Sequence, residues 1–263
     1  MLLGIEYLGT QYHGWQRQSQ VISIQGTLEK ALSEIADQPI TTTCAGRTDS
    51  GVHATSQYVH FDLTNERPLK AWLKGGNTLL PQDISVFHAT EIADDFDARR
   101  SALDRTYVYL IHNHSVPSAP LAQQTTWVSQ PLDTDVMHQS AQALLGEQNF
   151  SAFRSAHCQS HSVHRNMTEI SVKRFDDLVV IQITANAFLH HMVRNIVGSL
   201  IDVGKGIQSQ EWMAELLASE DRTQAGVTAP ANGLFLSRVR YPEKYGLSDT
   251  IRYPLLLATD FIV

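Results

Sequence analysis

Ten residues, Ala45-Gly46-Arg47-Thr48-Asp49-Ser50-Gly51-Val52-His53-Ala54, constrain this chain more than any other stretch. A short β-type run, Ile40-Thr41-Thr42-Thr43-Cys44, leads into them, and a second, residues 56–63, follows. An acid between an arginine and two glycines, set between strands, fits a loop that presents a side chain. Gly46 and Gly51 permit backbone angles closed to other residues, or a close approach by a ligand. Thr48 and Ser50 can hydrogen-bond locally and hold the loop's shape. On chemistry alone the loop reads either as a tight connection or as the mount of a functional carboxylate, Asp49.

Around that loop the hydrophobic pattern predicts an α+β protein. Residues 2–7 read as a strand. Residues 26–37 place Leu28, Ala31, Leu32, Ile35 and Ala36 on one helical face. Pro68 suits the first turn of a short helix through Leu73, and residues 84–88 are strand-like. The order β-α-β-β-α-β up to about residue 92 is that of a ferredoxin-like unit. In the second half we expect a strand at 106–112, a helix at 134–145 and a hairpin of 167–175 with 178–185 around Asp176-Asp177. Helices at 189–203 and 210–218 and a last strand at 234–241 follow. This divides the chain into an N-terminal half, 1–95, that carries the aspartate loop, and a C-terminal half, 96–263. Two such halves can set their sheets side by side around a central cleft, where ligands commonly bind.

At 263 residues the chain can bury a real core in each half. Its 43% hydrophobic and 18% charged residues are those of a soluble protein, and no apolar run approaches the roughly 20 residues that span a membrane. The N-terminal residues lack the basic and cleavage regions of a signal peptide. Two cysteines, Cys44 and Cys158, make no disulfide framework, which favours a reducing, cytoplasmic setting. A net charge of −7 argues against nucleic acid until local balance is considered. Between Arg154 and Arg174 stand four fixed positive charges (Arg154, Arg165, Lys173, Arg174) against one acid, Glu169. Arg99, Arg100 and Arg105 form a second basic cluster, diluted by Asp104. Such clusters permit RNA binding and are equally the pattern of solvated faces.

Gly46-Arg47-Thr48-Asp49-Ser50-Gly51-Val52-His53 resembles the active-site motif of the tRNA pseudouridine synthase A family, G-R-T-D-x-G-V-H. Five further blocks resemble that family in order: Gly14-Trp15-Gln16-Arg17-Gln18, Arg105-Thr106-Tyr107-Val108-Tyr109, Phe153-Arg154 with Cys158-Gln159, residues 188–195, and Gly233-Leu234-Phe235-Leu236. The resemblance therefore covers nearly the whole chain. It implies the pseudouridine synthase fold, two ferredoxin-like (RRM-like) halves sharing a mixed, mostly antiparallel sheet. It further implies conversion of uridine to pseudouridine at positions 38, 39 and 40 in the anticodon arm of tRNA, by a homodimer.

Under that resemblance Asp49 is the nucleophile. It serves either by adding to the uracil or sugar, or by taking the proton at C2′. A nucleophilic carboxylate must stay ionised away from bulk water, and a neighbouring cation favours its charged form. The resemblance makes Arg194 that ion-pair partner. Arg47, two residues from Asp49, either fills the place of the flipped base or holds the phosphate beside it. Tyr107 shares a strand face with Tyr109, and the resemblance assigns Tyr107 to stacking on the target base; Tyr109 is left to packing. His190 lies four residues before Arg194, hence on the same helical face. His190 and His191 are given no proton-transfer role.

Arg99, Arg100, Arg154, Cys158, Gln159 and Arg165 are the expected tRNA contacts. At Phe96-Asp97-Ala98-Arg99-Arg100 the chain departs from the family's F-H-A-R, with Asp97 in the histidine's place; this bears on a contact from position 97 but not from Arg99. Ser50 and Ala54 stand where alanine and glycine are frequent, and both are small. No cofactor is expected, because the product is an isomer of the substrate and no phosphate loop or dinucleotide fingerprint is present. No metal is expected either. Cys158, His161 and His164, with His157 beside them, have a spacing open to zinc, but no CxxC or HExxH accompanies them. Two rivals remain. One is a binding module of two RRM-like units, which predicts an RNP-type aromatic strand that the chain lacks. The other is a zinc hydrolase built on residues 158–164. Beyond tRNA and a second copy of itself, no protein or membrane partner is implied.

Overall fold

The computed structural model describes residues 1–156 and 158–257. In chain order the elements are β1 (Leu2–Tyr7), α1 (Ile24–Ala36), β2 (Thr43–Cys44), β3 (His53–His60), a π-helical turn Ala71–Gly75 running into α2 (Gly76–Leu79), β4 (Ile84–Thr90), β5 (Asp104–Asn113) and β6 (Thr126–Val128). Then come α3 (Thr134–Ala141), β7 (Gly146–Asn149), β8 (His164–Phe175), β9 (Leu178–Ala185), α4 (Met192–Gly204), α5 (Trp212–Ser219) and β10 (Leu234–Arg240). Among the described residues, no helix is long and apolar enough to cross a membrane. The described chain forms two compact units, Met1–Leu103 with residues 235–257, and Asp104–Leu234.

In the first unit the strands run β4-β1-β3-β10, with β2 paired to β3. β1 is antiparallel to both β3 and β4, whereas β10 joins β3 in parallel, Phe235 opposite His53. β1 and β3 are buried along nearly their whole length, as expected of strands flanked on both sides. α1 begins where the Ser23 side chain accepts from the Gly26 N–H, and it ends at Asp37 in the left-handed region. Leu28, Ala31, Leu32 and Ala36 form its buried face, and Trp72, fully buried, meets Phe61 edge-on at 5.2 Å. A second aromatic group, Tyr58, Phe96, Tyr241 and Tyr245, packs with ring centroids 4.9 to 5.7 Å apart.

In the second unit the strands run β5-β9-β8-β7, all antiparallel, with β6 added in parallel along β5. Every residue of β5 is buried. α4 is apolar on almost all sides, with Met192, Val193, Ile196, Val197, Leu200 and Val203 buried, and it packs on α3 and α5. Several boundaries differ from the sequence reading. The helix expected at 134–145 tightens into a 3-10 turn at Gln142–Leu144, and α4 starts at Met192 because His191 takes φ 62. β6 and β7 were not expected at all.

Candidate active site

The aspartate loop is held almost entirely by groups outside it. At its start the Gln57 amide grips Gly46 twice: Nε2 donates to the Gly46 carbonyl at 2.6 Å and Oε1 accepts from the Gly46 N–H at 3.3 Å. At its middle the buried Thr48 hydroxyl meets the Tyr7 hydroxyl at 2.8 Å, and the Trp15 N–H donates to the Thr48 carbonyl at 2.9 Å. At its end the Tyr12 carbonyl accepts from the Gly51 N–H and from the Ser50 hydroxyl, while the Gly9 N–H donates to His53 Nδ1 at 2.9 Å. Residues 9–15 thus form a strap across the loop. Gly9 and Gly14 lie where the two approach most closely: a Cβ would come 2.0 Å from the Val52 carbonyl oxygen at Gly9, and 2.8 Å from the Thr48 carbonyl oxygen at Gly14, whose φ is +82. Within this frame Asp49 is half-buried and Arg47 exposed.

The strap is tied back to α1. Glu29, 3% exposed, accepts from the Thr42 N–H and hydroxyl, from Gln25 Nε2 and, at 2.8 Å, from Arg17 Nη1. Gln25 Oε1 accepts from the Arg17 N–H and Gln16 Nε2. One buried carboxylate therefore joins the strap's exit, the helix and the lead-in to β2.

Also in the first unit, Asp97 closes a turn by accepting the N–H groups of Arg99 and Arg100, each at 2.8 Å. Burial works against its charge, yet those bonds prevail and hold its carboxyl below the usual range. Ala98 is pinned from both sides, its N–H on His60 Nδ1 and its carbonyl on the Tyr241 hydroxyl. Arg99 and Arg100 are left exposed. Burial pushes the Cys44 thiol up to about 12, so it is inert.

In the second unit Tyr107 stands on β5, 8% exposed, with the Phe188 ring edge-on at 5.1 Å. Tyr109, on the same strand face, is fully buried, and its hydroxyl bonds Thr126 and the Pro230 carbonyl. Arg194 is half-buried on α4; its Nε donates to the Ala229 carbonyl at 2.8 Å, and the Ala229 N–H returns a bond to the Arg194 carbonyl. Arg154 turns onto its own loop, Nη2 donating to the carbonyls of Cys158 and Ser160. Arg165, 8% exposed, does the same toward Ser162, His164 and the Ser160 hydroxyl. Gln159 is exposed and Cys158 half-buried. Burial works to raise the Cys158 thiol, but donors from His190, Ser160 and Arg154 outweigh it and hold it below its usual range. Among the described residues, Cys158, His161 and His164 do not converge as a set of ligand atoms. His157, singled out with them in the sequence, lies outside the described residues.

A family model described as tRNA pseudouridine synthase matches residues 4–99 and 140–242, which takes in the aspartate loop, its strap and α4. The chain belongs to the tRNA pseudouridine synthase family. A tRNA pseudouridine synthase A from Pseudoalteromonas atlantica is 51% identical over 259 residues, which are 98% of this chain and 98% of the relative. One from Escherichia coli is 52% identical over 256 residues, 97% of this chain and 95% of the relative. A chain from the crystal structure of a Cbf5–Nop10–Gar1 complex aligns at 12% identity and TM-score 0.37, over 90% of this chain and 49% of that one. As a tRNA pseudouridine synthase the chain is an isomerase with the α+β pseudouridine synthase fold.

For a tRNA pseudouridine synthase, the sequence motifs pick out the candidate site residues better than those that hold them. Gly14-Trp15 was visible as a block, but not as a strap, Phe188 was visible only as the first residue of the 188–195 block, and Tyr7, Tyr12 and Gln57 were not singled out. The glycine pair at 9 and 14, close ahead of a tryptophan, was the available signal of a tight crossing.

Proposed function

We propose that the chain isomerises uridine to pseudouridine at positions 38, 39 and 40 of the tRNA anticodon arm, with Asp49 as the nucleophile. The C1′–N1 bond breaks as the carboxylate displaces the base from C1′ or takes the C2′ proton, or after it adds to the ring. The base turns and C1′ bonds to C5; the bond from Asp49 to ring or sugar breaks, or C2′ takes its proton back, the C5 hydrogen leaves as a proton, and N1 ends protonated. Tyr107 stacks on the uracil, since a ring tolerates a base that rotates in its plane better than directed hydrogen bonds do. Arg194 is the ion-pair partner of Asp49, and Arg47 assists flipping. Arg99, Arg100 and Gln159 contact tRNA, whereas Arg154 and Arg165 act through the loop they hold around Cys158. The enzyme works in the cytoplasm as a homodimer, one tRNA bridging both copies.

One observation carries this reading: the Asp49 loop is clamped at its start, middle and end by partners from other segments, while the carboxylate itself stays half-exposed. A plain connection between two strands has no use for so rigid a mount, and preorganisation of a reacting group does. Tritium release from tRNA labelled at uracil C5 tests it. Release by the wild type that vanishes in a folded, tRNA-binding Asp49→Ala is the expected result. Equal release by both proteins removes Asp49 from the mechanism. Absence of release from anticodon-arm uridines, with tRNA still bound, favours the binding module.

A further inference from the structure

A segment of the second unit lies flat on α4 without being a helix or strand. Gly198 lets it approach so closely that a Cβ there would be 1.8 Å from the Val227 carbonyl oxygen. Asn195, 1% exposed, is the knot. Its Oδ1 accepts from the Thr228 hydroxyl at 2.7 Å and from Arg222 Nη2 at 3.1 Å, and Arg222 Nη2 also reaches the Thr228 hydroxyl at 3.0 Å. Its Nδ2 donates to the Phe153 carbonyl at 2.8 Å, beside Arg154. The Ser199 hydroxyl accepts from the Gly226 N–H. The residue after Thr228 is Ala229, which bonds the backbone of Arg194 through its N–H and Arg194 Nε through its carbonyl.

We infer that Asn195, Thr228 and Arg222 are positioning residues of the isomerisation, which fix the guanidinium of Arg194 through the Ala229 carbonyl. The inference rests on the reading of Arg194 given above. A guanidinium is planar and rigid, so one committed Nε sets the direction of its other donors. A flexible arginine would have to be ordered at each turnover; one already held by a three-way knot around the buried Asn195 does not. The same Asn195 amide ties in the Phe153-Arg154 turn, so one buried side chain supports both Arg194 and the loop that Arg154 holds.

The test compares wild type, Thr228→Val, Thr228→Ser, Arg222→Lys and Arg194→Ala for single-turnover tritium release, tRNA affinity and Tm. Thr228→Val is expected to slow release about tenfold or more while tRNA affinity stays within about twofold, as misplacement of a reacting group does. Thr228→Ser keeps the hydroxyl and restores most of the rate. Arg222→Lys keeps the charge, loses the two-pronged grip and slows release in the same way; it carries the comparison if Thr228→Val does not fold. Wild-type release by folded Thr228→Val and Arg222→Lys overturns the inference. So does a rate loss that only tracks lost affinity or lost folded protein, which is what a structural role gives. Arg194→Ala separates the two readings: wild-type release there removes Arg194 itself, while slow release there with fast Thr228→Val removes only the positioning.

Discussion

Tyr7 and Thr48 lie 41 residues apart and share one 2.8 Å bond between buried hydroxyls. Thr48 is the chain neighbour of Asp49, the proposed nucleophile, so a shift of the one moves the other. Tyr7→Phe keeps the ring, which packs on Trp15 with centroids 6.1 Å apart, and removes only the hydroxyl. The Thr48 hydroxyl then loses a buried partner, which costs about 1 kcal/mol of stability. The rate should fall more than that small loss implies, because effective geometry at a nucleophile is steeper than stability. Denaturant midpoints and single-turnover tritium release, measured on one preparation, check this. A Tyr7→Phe enzyme with wild-type rate would show that the loop keeps its shape without the bond.

At the scale of elements, Glu29 does for the strap what Tyr7 does for the loop. It joins α1 to Thr42, just ahead of β2, and to Arg17, where the strap leaves the site. The Arg17 side chain is 56% exposed and recovers water when the ion pair is lost; the Thr42 N–H and the Gln25 amide are buried and do not. Glu29→Ala should therefore destabilise by about 2–3 kcal/mol, chiefly through those orphaned donors rather than through the salt bridge. Glu29→Gln, which retains an acceptor for Thr42, should lose less than half of that. Urea midpoints of the two variants decide it: equal losses would place the stabilisation in the ion pair instead. These long-range ties also explain what could be read in advance. β1, α1, β5, β8 and β9 announce themselves by local pattern. β7, Gly146–Asn149, has no β-branched or aromatic residue and is a strand only because β8 pairs with it. The Asp49 motif was legible for the same reason as the long strands, being contiguous. Its strap was not, since the strap grips the loop through its own backbone N–H and carbonyl groups, which residue type does not encode.

For the molecule as a whole, the question is how a chain with 20 basic and 27 acidic residues grips tRNA. Net charge repels the phosphates, so affinity must come from a few placed cations, and it must be steep in salt. In the proposed reading Arg99 and Arg100 are such cations: the turn that carries them is fixed by Asp97 and pinned at Ala98, and their side chains stand exposed. Removing both, as Arg99→Ala with Arg100→Ala, should weaken binding of different tRNAs alike and lower the slope of log affinity against log salt by roughly 1–2. Arg154→Ala should behave otherwise. That guanidinium is spent on the carbonyls of Cys158 and Ser160, so its loss loosens the loop and lowers affinity with little change in slope. Binding titrations of the three proteins over a range of salt separate the two kinds of arginine. An unchanged slope in the double variant would mean that the exposed pair faces solvent rather than phosphate. A reduced slope in Arg154→Ala would mean that its loop opens on binding and gives the charge to the RNA.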